Sequence, residues 1–134
     1  MDIEEHIKHW FDSANHDLET AEDLFRARKF DWCLFLGHLV LEKALKAFYV
    51  RDNKNQLPPR THNLLRLAEN TSLVLNDDQK IFLDEVNDFN LEVRYPEFKR
   101  EFYQYCTKEY ATSYFTRIKE FYQWLQSQME HVQL

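Results

Sequence analysis

Residues 32–50, WCLFLGHLVLEKALKAFYV, are the most informative part of this chain about its architecture. Apolar side chains occupy almost every side of a helix built from these residues, and Asp31 before them is a suitable N-cap. A helix that is apolar all round is normally covered by other helices, so we predict that this one forms the centre of the domain. Gly37 costs roughly 1 kcal/mol in an exposed helix and therefore predicts a close helix crossing at its position.

Amphipathic helices are predicted on both sides of the central one. Residues 3–25 carry apolar side chains at three- and four-residue steps, which is typical of a long helix with one buried face. Residues 62–70, HNLLRLAEN, predict a short helix capped by Thr61. The same helical spacing of apolar residues predicts a last helix over residues 107–130. The chain is therefore predicted to be all-α.

The fourth of the five predicted helices has recognisable signals at both ends. Asn76 and Gln79 form a capping box, in which each side chain satisfies a backbone N–H group of the other. Pro96 disfavours helical backbone at the residue before it, so we expect this helix to end near residues 91–94. The aromatic segment that follows is predicted to connect to the last helix, and its exposed rings (Phe98, Phe102, Tyr103 and Tyr105) predict self-association.

Composition excludes several classes of protein. The length of 134 residues suits one domain, and the single glycine cannot build a dinucleotide-binding or phosphate-binding glycine loop. A formal charge of −6 argues against bulk electrostatic binding of DNA or RNA, so any RNA contact must be local. Cys33 and Cys106 form neither a disulfide framework nor a metal-binding pair, and no apolar run suits membrane insertion. We expect a cytoplasmic protein that binds no membrane.

Four segments together resemble the HEPN domain, a small all-helical family. They are WFDSANHDLETAEDLF in the first helix, FLGHLVLEKALKAFYV in the second, LPPRTHNLLRLAE in the link, and VRYPEF at the exit of the fourth helix. The resemblance implies an up-and-down bundle of four long helices plus one short helix, usually dimeric. Many relatives are encoded beside a minimal nucleotidyltransferase in toxin and antitoxin pairs, and many are metal-independent ribonucleases.

The ribonuclease motif of the family is an arginine followed, after four to six residues, by a histidine. Arg94 in NLEVRYPEFKR, residues 90–100, corresponds to the arginine, but the expected histidine positions hold Lys99, Arg100 and Glu101. No other arginine of the chain has a histidine at that distance. RNA cleavage without a metal needs a group that moves protons near neutral pH, and arginine or lysine serves poorly. We therefore assign no catalytic residue beyond Arg94 as a candidate.

Several polar residues could form a site around Arg94. Candidates for binding nucleotide or phosphate are Arg94, Lys43, Lys46, Arg60 and His62, and candidates for the wall of a cleft are His38, Glu42, Tyr95 and Glu97. Each has a structural alternative: Arg94 can clasp the helix end, Glu42 and Lys46 can form an i, i+4 pair, and His38 can be a core histidine. Arg60 and His62 can be incidental neighbours of a cap.

We therefore expect a homodimeric HEPN-like protein that binds a separately encoded minimal nucleotidyltransferase and a nucleotide or RNA. An active HEPN endoribonuclease is the alternative. His6, His9 and His16 lack a convergent set of cysteines or carboxylates, so no metal site and no cofactor are predicted.

Overall fold

A computed structural model of the protein describes the backbone of residues 1–132, with the side chains of residues 91–94, 96, 98–99 and 130–132 outside the described residues. Within that range the chain forms six helices: α1 (Ile3–Arg26), α2 (Phe30–Asp52), α3 (Leu64–Glu69), α4 (Asp77–Arg94), α5 (Pro96–Tyr105) and α6 (Lys108–Val132). The all-α prediction is confirmed. Four of the helices are long and two are short, which is one short helix more than predicted.

The four long helices run alternately up and down. The start of α1 lies beside the end of α2, where His6 Nδ1 hydrogen-bonds to Asn55 over 2.8 Å. The Phe25 ring at the end of α1 stacks on Phe115 near the start of α6, so these helices are antiparallel. α4 is antiparallel to α6 as well, because Phe82 near its start contacts Phe121 and Phe89 near its end contacts Tyr110.

α2 is the central helix, as its sequence predicts. It contacts α1, α3, α4, α5 and α6. Nine of its side chains are completely buried apolar groups of the core (Cys33, Leu34, Val40, Leu41, Ala44, Leu45, Ala47, Phe48 and Val50). Gly37 lies directly against α6, where an added Cβ would be 2.8 Å from Ile118 Cδ1. The predicted close crossing at the glycine is confirmed.

The predicted helix ends are right at α4 and wrong at two other helices. Asn76 and Gln79 form the expected capping box, with N–H to side-chain oxygen distances of 2.9 and 2.8 Å, and α4 ends at Arg94. α2 begins two residues earlier than predicted, at Phe30, so Asp31 lies in its first turn instead of capping it. α3 is capped by Asn63, whose side chain accepts from Arg66 N, and not by Thr61.

The aromatic segment expected to be a connector is helix α5. Pro96 occupies its first turn, a position where the missing N–H group costs nothing. Phe102 is fully buried and stacks on Phe89 with ring centroids 5.7 Å apart, so the prediction that it is exposed was wrong. Tyr103 and Tyr105 are exposed, whereas the Phe98 side chain lies outside the described residues. Across residues 1–132, every helix is too short or too polar to span a lipid bilayer.

Candidate functional site

Glu42 is the centre of a polar cluster on α2. The residue is almost completely buried, at 4% exposure, and its carboxylate needs hydrogen-bond donors to offset the loss of water. Oε2 accepts from Lys46 Nζ at 3.0 Å, which is the i, i+4 pair expected from the spacing. Oε1 accepts from His62 Nδ1 at 2.8 Å, across the loop that precedes α3. The cluster therefore joins the central helix to a loop.

His38 supports the same loop from inside the core. It has no exposed surface, and its Nε2 donates to the backbone carbonyl of His62 at 2.8 Å. Burial lowers the pKa of His38 to about 4, while the charge of Glu42 acts in the opposite direction. The ring is therefore neutral near pH 7. Its Nδ1 lies 3.9 Å from Glu42 Oε1 without a hydrogen bond. His38 is thus a core histidine that positions His62.

His62 is held at two points, although half of its side chain is exposed. α2 fixes the backbone through His38 and the imidazole through Glu42. A carboxylate only accepts hydrogen bonds, so Nδ1 must carry the proton, and in the neutral ring Nε2 keeps its lone pair. In the described part of the chain no group hydrogen-bonds to Nε2. A carboxylate that fixes the tautomer in this way prepares the other nitrogen to accept a proton or a hydrogen bond.

His62 opens onto a groove of about 440 Å³ on the surface beside α4. The groove is also lined by Asn63, Asp84, Asn87, Asp88, Asn90 and Tyr95. Neither Asp84 nor Asp88 forms an ion pair with a described residue. Burial raises the pKa of Asp88, and the nearby charges of Asp84 and Glu85 raise it further. The electrostatics of this groove disfavour a phosphate group and favour hydrogen-bond donors.

The two lysines expected to bind phosphate are already paired and lie toward α1. Lys43 Nζ is 2.6 Å from Asp17 Oδ2, and Lys46 Nζ is 5.3 Å from the centre of the Trp10 ring in addition to its bond with Glu42. An anion at either lysine would compete with a largely buried carboxylate. Arg60 is exposed in the loop before His62.

The remaining candidates lie at the boundary where α4 ends and α5 begins. Arg94 is the last residue of α4, and its side chain falls outside the described residues, so its cleft stays a prediction. Tyr95, 46% exposed, lies directly before α5 and lines the groove with His62. Glu97 is exposed in the first turn of α5. The fold thus brings His38, Glu42, His62 and Tyr95 into one region.

Sequence reasoning missed the polar face of α4 that completes the groove. Asp84 and Asp88 are one turn apart, and Asn87 lies beside them on the same helix. Asn87 Oδ1 accepts from the first N–H group of α3, at 2.8 Å from Leu64 N. The i, i+4 repeat of two acids on an amphipathic helix was visible in the sequence, but nothing local indicated that it faces His62.

The chain is similar to known proteins in both sequence and fold. The family model described as HEPN domain matches residues 7–128. The crystal structure of TT1696 from Thermus thermophilus superposes with a TM-score of 0.76 at 16% sequence identity, covering 91% of this chain and 97% of that chain. At that identity the likeness shows a shared fold. The search of curated protein sequences gives no match.

Proposed function

This chain belongs to the HEPN family, and we propose that it is a partner-binding component of a HEPN and minimal nucleotidyltransferase pair. The observation that carries the proposal is the exposure of three tyrosines around α5. Tyr95, Tyr103 and Tyr105 are 46, 71 and 43% exposed within eleven positions of the chain. Tyrosine is enriched at protein interfaces because it adds large contact area and a hydroxyl group at a low cost in side-chain entropy.

The charges around the groove support protein binding over nucleic-acid binding. Lys43 and Lys46 are neutralised by Asp17 and Glu42. Asp84 and Asp88 add negative charge where a phosphate would have to approach. A protein partner can meet such a surface with its own donors, whereas a polyphosphate chain would be repelled.

The test is to purify the tagged chain from its native host and identify what it retains. We expect a minimal nucleotidyltransferase at a fixed ratio, and Tyr95→Ser should reduce its recovery. Ile81→Ser is the matched control, because Ile81 is an exposed apolar residue (58%) in the first turns of α4, at the opposite end of that helix from Tyr95. Absence of the nucleotidyltransferase, or equal losses for both variants, would contradict the proposal. Sedimentation of the purified chain, at a concentration on the order of 50 micromolar, measures its oligomeric state and so tests the predicted dimer separately.

One observation favours ribonuclease activity as a second candidate. The motif histidine is missing, yet His62 lines the same groove as Tyr95, the residue that directly follows Arg94. Its tautomer is set by Glu42, which leaves Nε2 able to take a proton from a ribose hydroxyl. In this candidate mechanism His62 is the general base, Glu42 is its positioning residue, and Arg94 must offset the repulsion between the RNA phosphate and the carboxylates of Asp84 and Asp88.

The ribonuclease candidate is tested by measuring the rate at which the purified chain cleaves RNA. If it is right, His62→Gln lowers the rate by roughly 100-fold, as expected for loss of a general base. Arg94→Ala should also lower the rate, and Glu42→Gln should shift the pH dependence of the rate. Cleavage that survives His62→Gln unchanged would rule out His62 as the base.

A further inference from the structure

A second cavity, of about 470 Å³, lies at one end of the bundle, where the α1–α2 turn and the α5–α6 turn come together. It shares no lining residue with the groove at His62. Its volume is within the range of pockets that hold small organic molecules, about 300 to 1,000 Å³. Four charged residues line it: Arg28, Asp31, Lys108 and Glu109. Their positive and negative charges balance, so the net charge of the wall favours neither a simple anion nor a simple cation.

Asp31 is the buried member of this set. It is only 6% exposed, and in the described part of the chain it forms neither a hydrogen bond nor an ion pair. Its place in the first turn of α2 offsets part of the negative charge through the helix dipole. Glu42, another buried carboxylate of α2, accepts from both Lys46 and His62. A buried carboxylate without donors is costly, so a ligand that brings donors into the cavity would remove this cost.

The opposite charges of the cavity do not neutralise one another. Neither Arg28 nor Lys108 forms an ion pair with a carboxylate of the described residues, those of the cavity included. The backbone of Arg28 is held in the left-handed region, with φ of 63°, and its N–H group donates to the Phe25 carbonyl at 3.0 Å. Separated positive and negative groups around one space are complementary to a molecule that itself carries both charges.

Tyr103 provides an aromatic surface beside these charges. Its side chain is 71% exposed and lines the cavity, so its ring is accessible to a ligand. The ring of Phe30 already contacts Phe25 and the Arg28 guanidinium, with distances of 5.3 and 5.4 Å from its centre. Aromatic rings attract one another in offset or edge-to-face arrangements. Tyr103 is therefore the ring that can pack against an aromatic part of a ligand.

We propose that this cavity binds a free amino acid with an aromatic side chain. An α-amino acid carries an ammonium group, a carboxylate and a side chain on one carbon atom. The ammonium group, with its three donors, supplies hydrogen bonds to Asp31, and Glu109 adds negative charge. The carboxylate lies at Arg28 and Lys108, and the side chain packs on Tyr103. The inference is independent of the partner-binding proposal.

Titration calorimetry of the full chain at low salt tests the proposal with ligands that differ from phenylalanine by one group. L-phenylalanine should bind saturably. Phenethylamine lacks the carboxylate and phenylpropionate lacks the amino group, so each should bind at least about tenfold more weakly through loss of charge-assisted hydrogen bonds. Alanine, which lacks the ring, should also bind more weakly. Affinity for phenethylamine or phenylpropionate equal to that for phenylalanine would overturn the assignment of a ligand with both charges.

Variants of the chain test the two charged contacts separately. Asp31→Asn retains the size of the side chain and removes its charge, so it should weaken phenylalanine binding at least about tenfold without weakening that of phenylpropionate. Arg28→Asn suits the positive φ and should weaken binding of phenylalanine but not of phenethylamine. His62→Gln lies in the other groove and should change neither affinity. Because Arg28 is exposed, its variant tests the site even where Asp31→Asn fails to fold.

Wild-type affinity for phenylalanine in folded Asp31→Asn or in Arg28→Asn would show that the proposal is wrong. No saturable binding up to about 10 mM phenylalanine would refute the site altogether. Neither result bears on recovery of a nucleotidyltransferase, which concerns Tyr95. Conversely, Tyr95→Ser should leave phenylalanine binding unchanged, because Tyr95 lines only the other groove.

Discussion

His62 and Glu42 are joined by a hydrogen bond of 2.8 Å between Nδ1 and Oε1, which connects an exposed loop to the buried face of the central helix. The side chain of Glu42 is only 6% exposed, whereas that of His62 is 51% exposed. The bond therefore runs from the core to the surface. It fixes an imidazole at the edge of a groove, and it also helps to satisfy a carboxylate that has little access to water.

Glu42→Gln should lower the free energy of unfolding by about 1–3 kcal/mol. The substitution leaves Lys46 without its carboxylate in a largely buried position and weakens the bond to His62. Urea denaturation of both proteins at pH 7 measures the difference. Asp12→Asn is the control, because Asp12 forms an exposed pair with Lys8 and its loss should cost no more than about 0.5 kcal/mol. Equal effects for the two variants would show that the buried cluster stabilises the fold no more than an exposed ion pair does.

The free energy of unfolding should fall as the pH decreases from about 6.5 to 4.5. His38 has a pKa near 4 in the folded chain and an ordinary value of 6.5 when unfolded, so in this window the unfolded chain binds more protons. The contribution of this one group over that window is about 2 kcal/mol. Burial raises the pKa of Asp52, but hydrogen bonds from Arg51 and Ser72 outweigh that effect, so its pKa in the folded chain is below the ordinary value of 3.8. Asp52 therefore adds to the loss of stability only at pH values below that of the His38 window.

His38→Gln isolates this pH effect. Glutamine retains an N–H donor for the His62 carbonyl but does not titrate. We expect the variant to be less stable at pH 7 and to lose less stability than the wild-type chain between pH 6.5 and 4.5. Denaturation series at several pH values provide the comparison. Parallel pH dependences for the two proteins would mean that His38 is not the responsible group.

Gly37→Ala should destabilise the chain by about 0.5–2 kcal/mol, although alanine favours helix formation by about 1 kcal/mol. The added Cβ would be 2.8 Å from Ile118 Cδ1, in a fully buried part of the core. Ile118→Val removes that Cδ1 atom. In the Ile118→Val background, Gly37→Ala should therefore be neutral or stabilising. A double-mutant cycle in urea measures the coupling, and additive effects would exclude a clash between these two positions.

Cys33 and Cys106 should react slowly with thiol reagents in the native chain. Cys33 has no exposed surface, and burial raises its pKa to about 12, with a smaller contribution from Cys106. The reactive thiolate is therefore scarce at pH 8. Cys106 is only 6% exposed. Labelling should go to completion for both cysteines in urea, and rapid labelling of Cys33 without denaturant would contradict the packing of α2.

Much of the fold was predictable because helix signals are local. The apolar character of residues 32–50 indicated the central helix, and the Asn76 and Gln79 capping box indicated the start of α4. α5 was missed because Pro96 was interpreted as the end of a helix, although proline also suits the first turn of the next one. The cap at Asp31 was wrong because α2 begins at Phe30, directly after a turn in which Arg28 adopts a positive φ. The cap at Thr61 was wrong because Asn63, two residues later, caps α3 instead.

The sequence by itself determined an all-helical chain with α2 at its centre and a Glu42–Lys46 pair, because hydrogen bonds and side-chain pairs within a helix join residues three or four positions apart. Only the tertiary structure decided which of these residues meet across elements. Glu42 and His62 are 20 positions apart, and His38 and His62 are 24 apart, so their contacts depend on the path of the loop before α3. Likewise, Asp31 shares a cavity with Lys108 only because α5 and α6 return to the end of the bundle where α2 begins. The physical reason is that packing between helices depends on the shape of the whole core, which no local pattern of residues specifies.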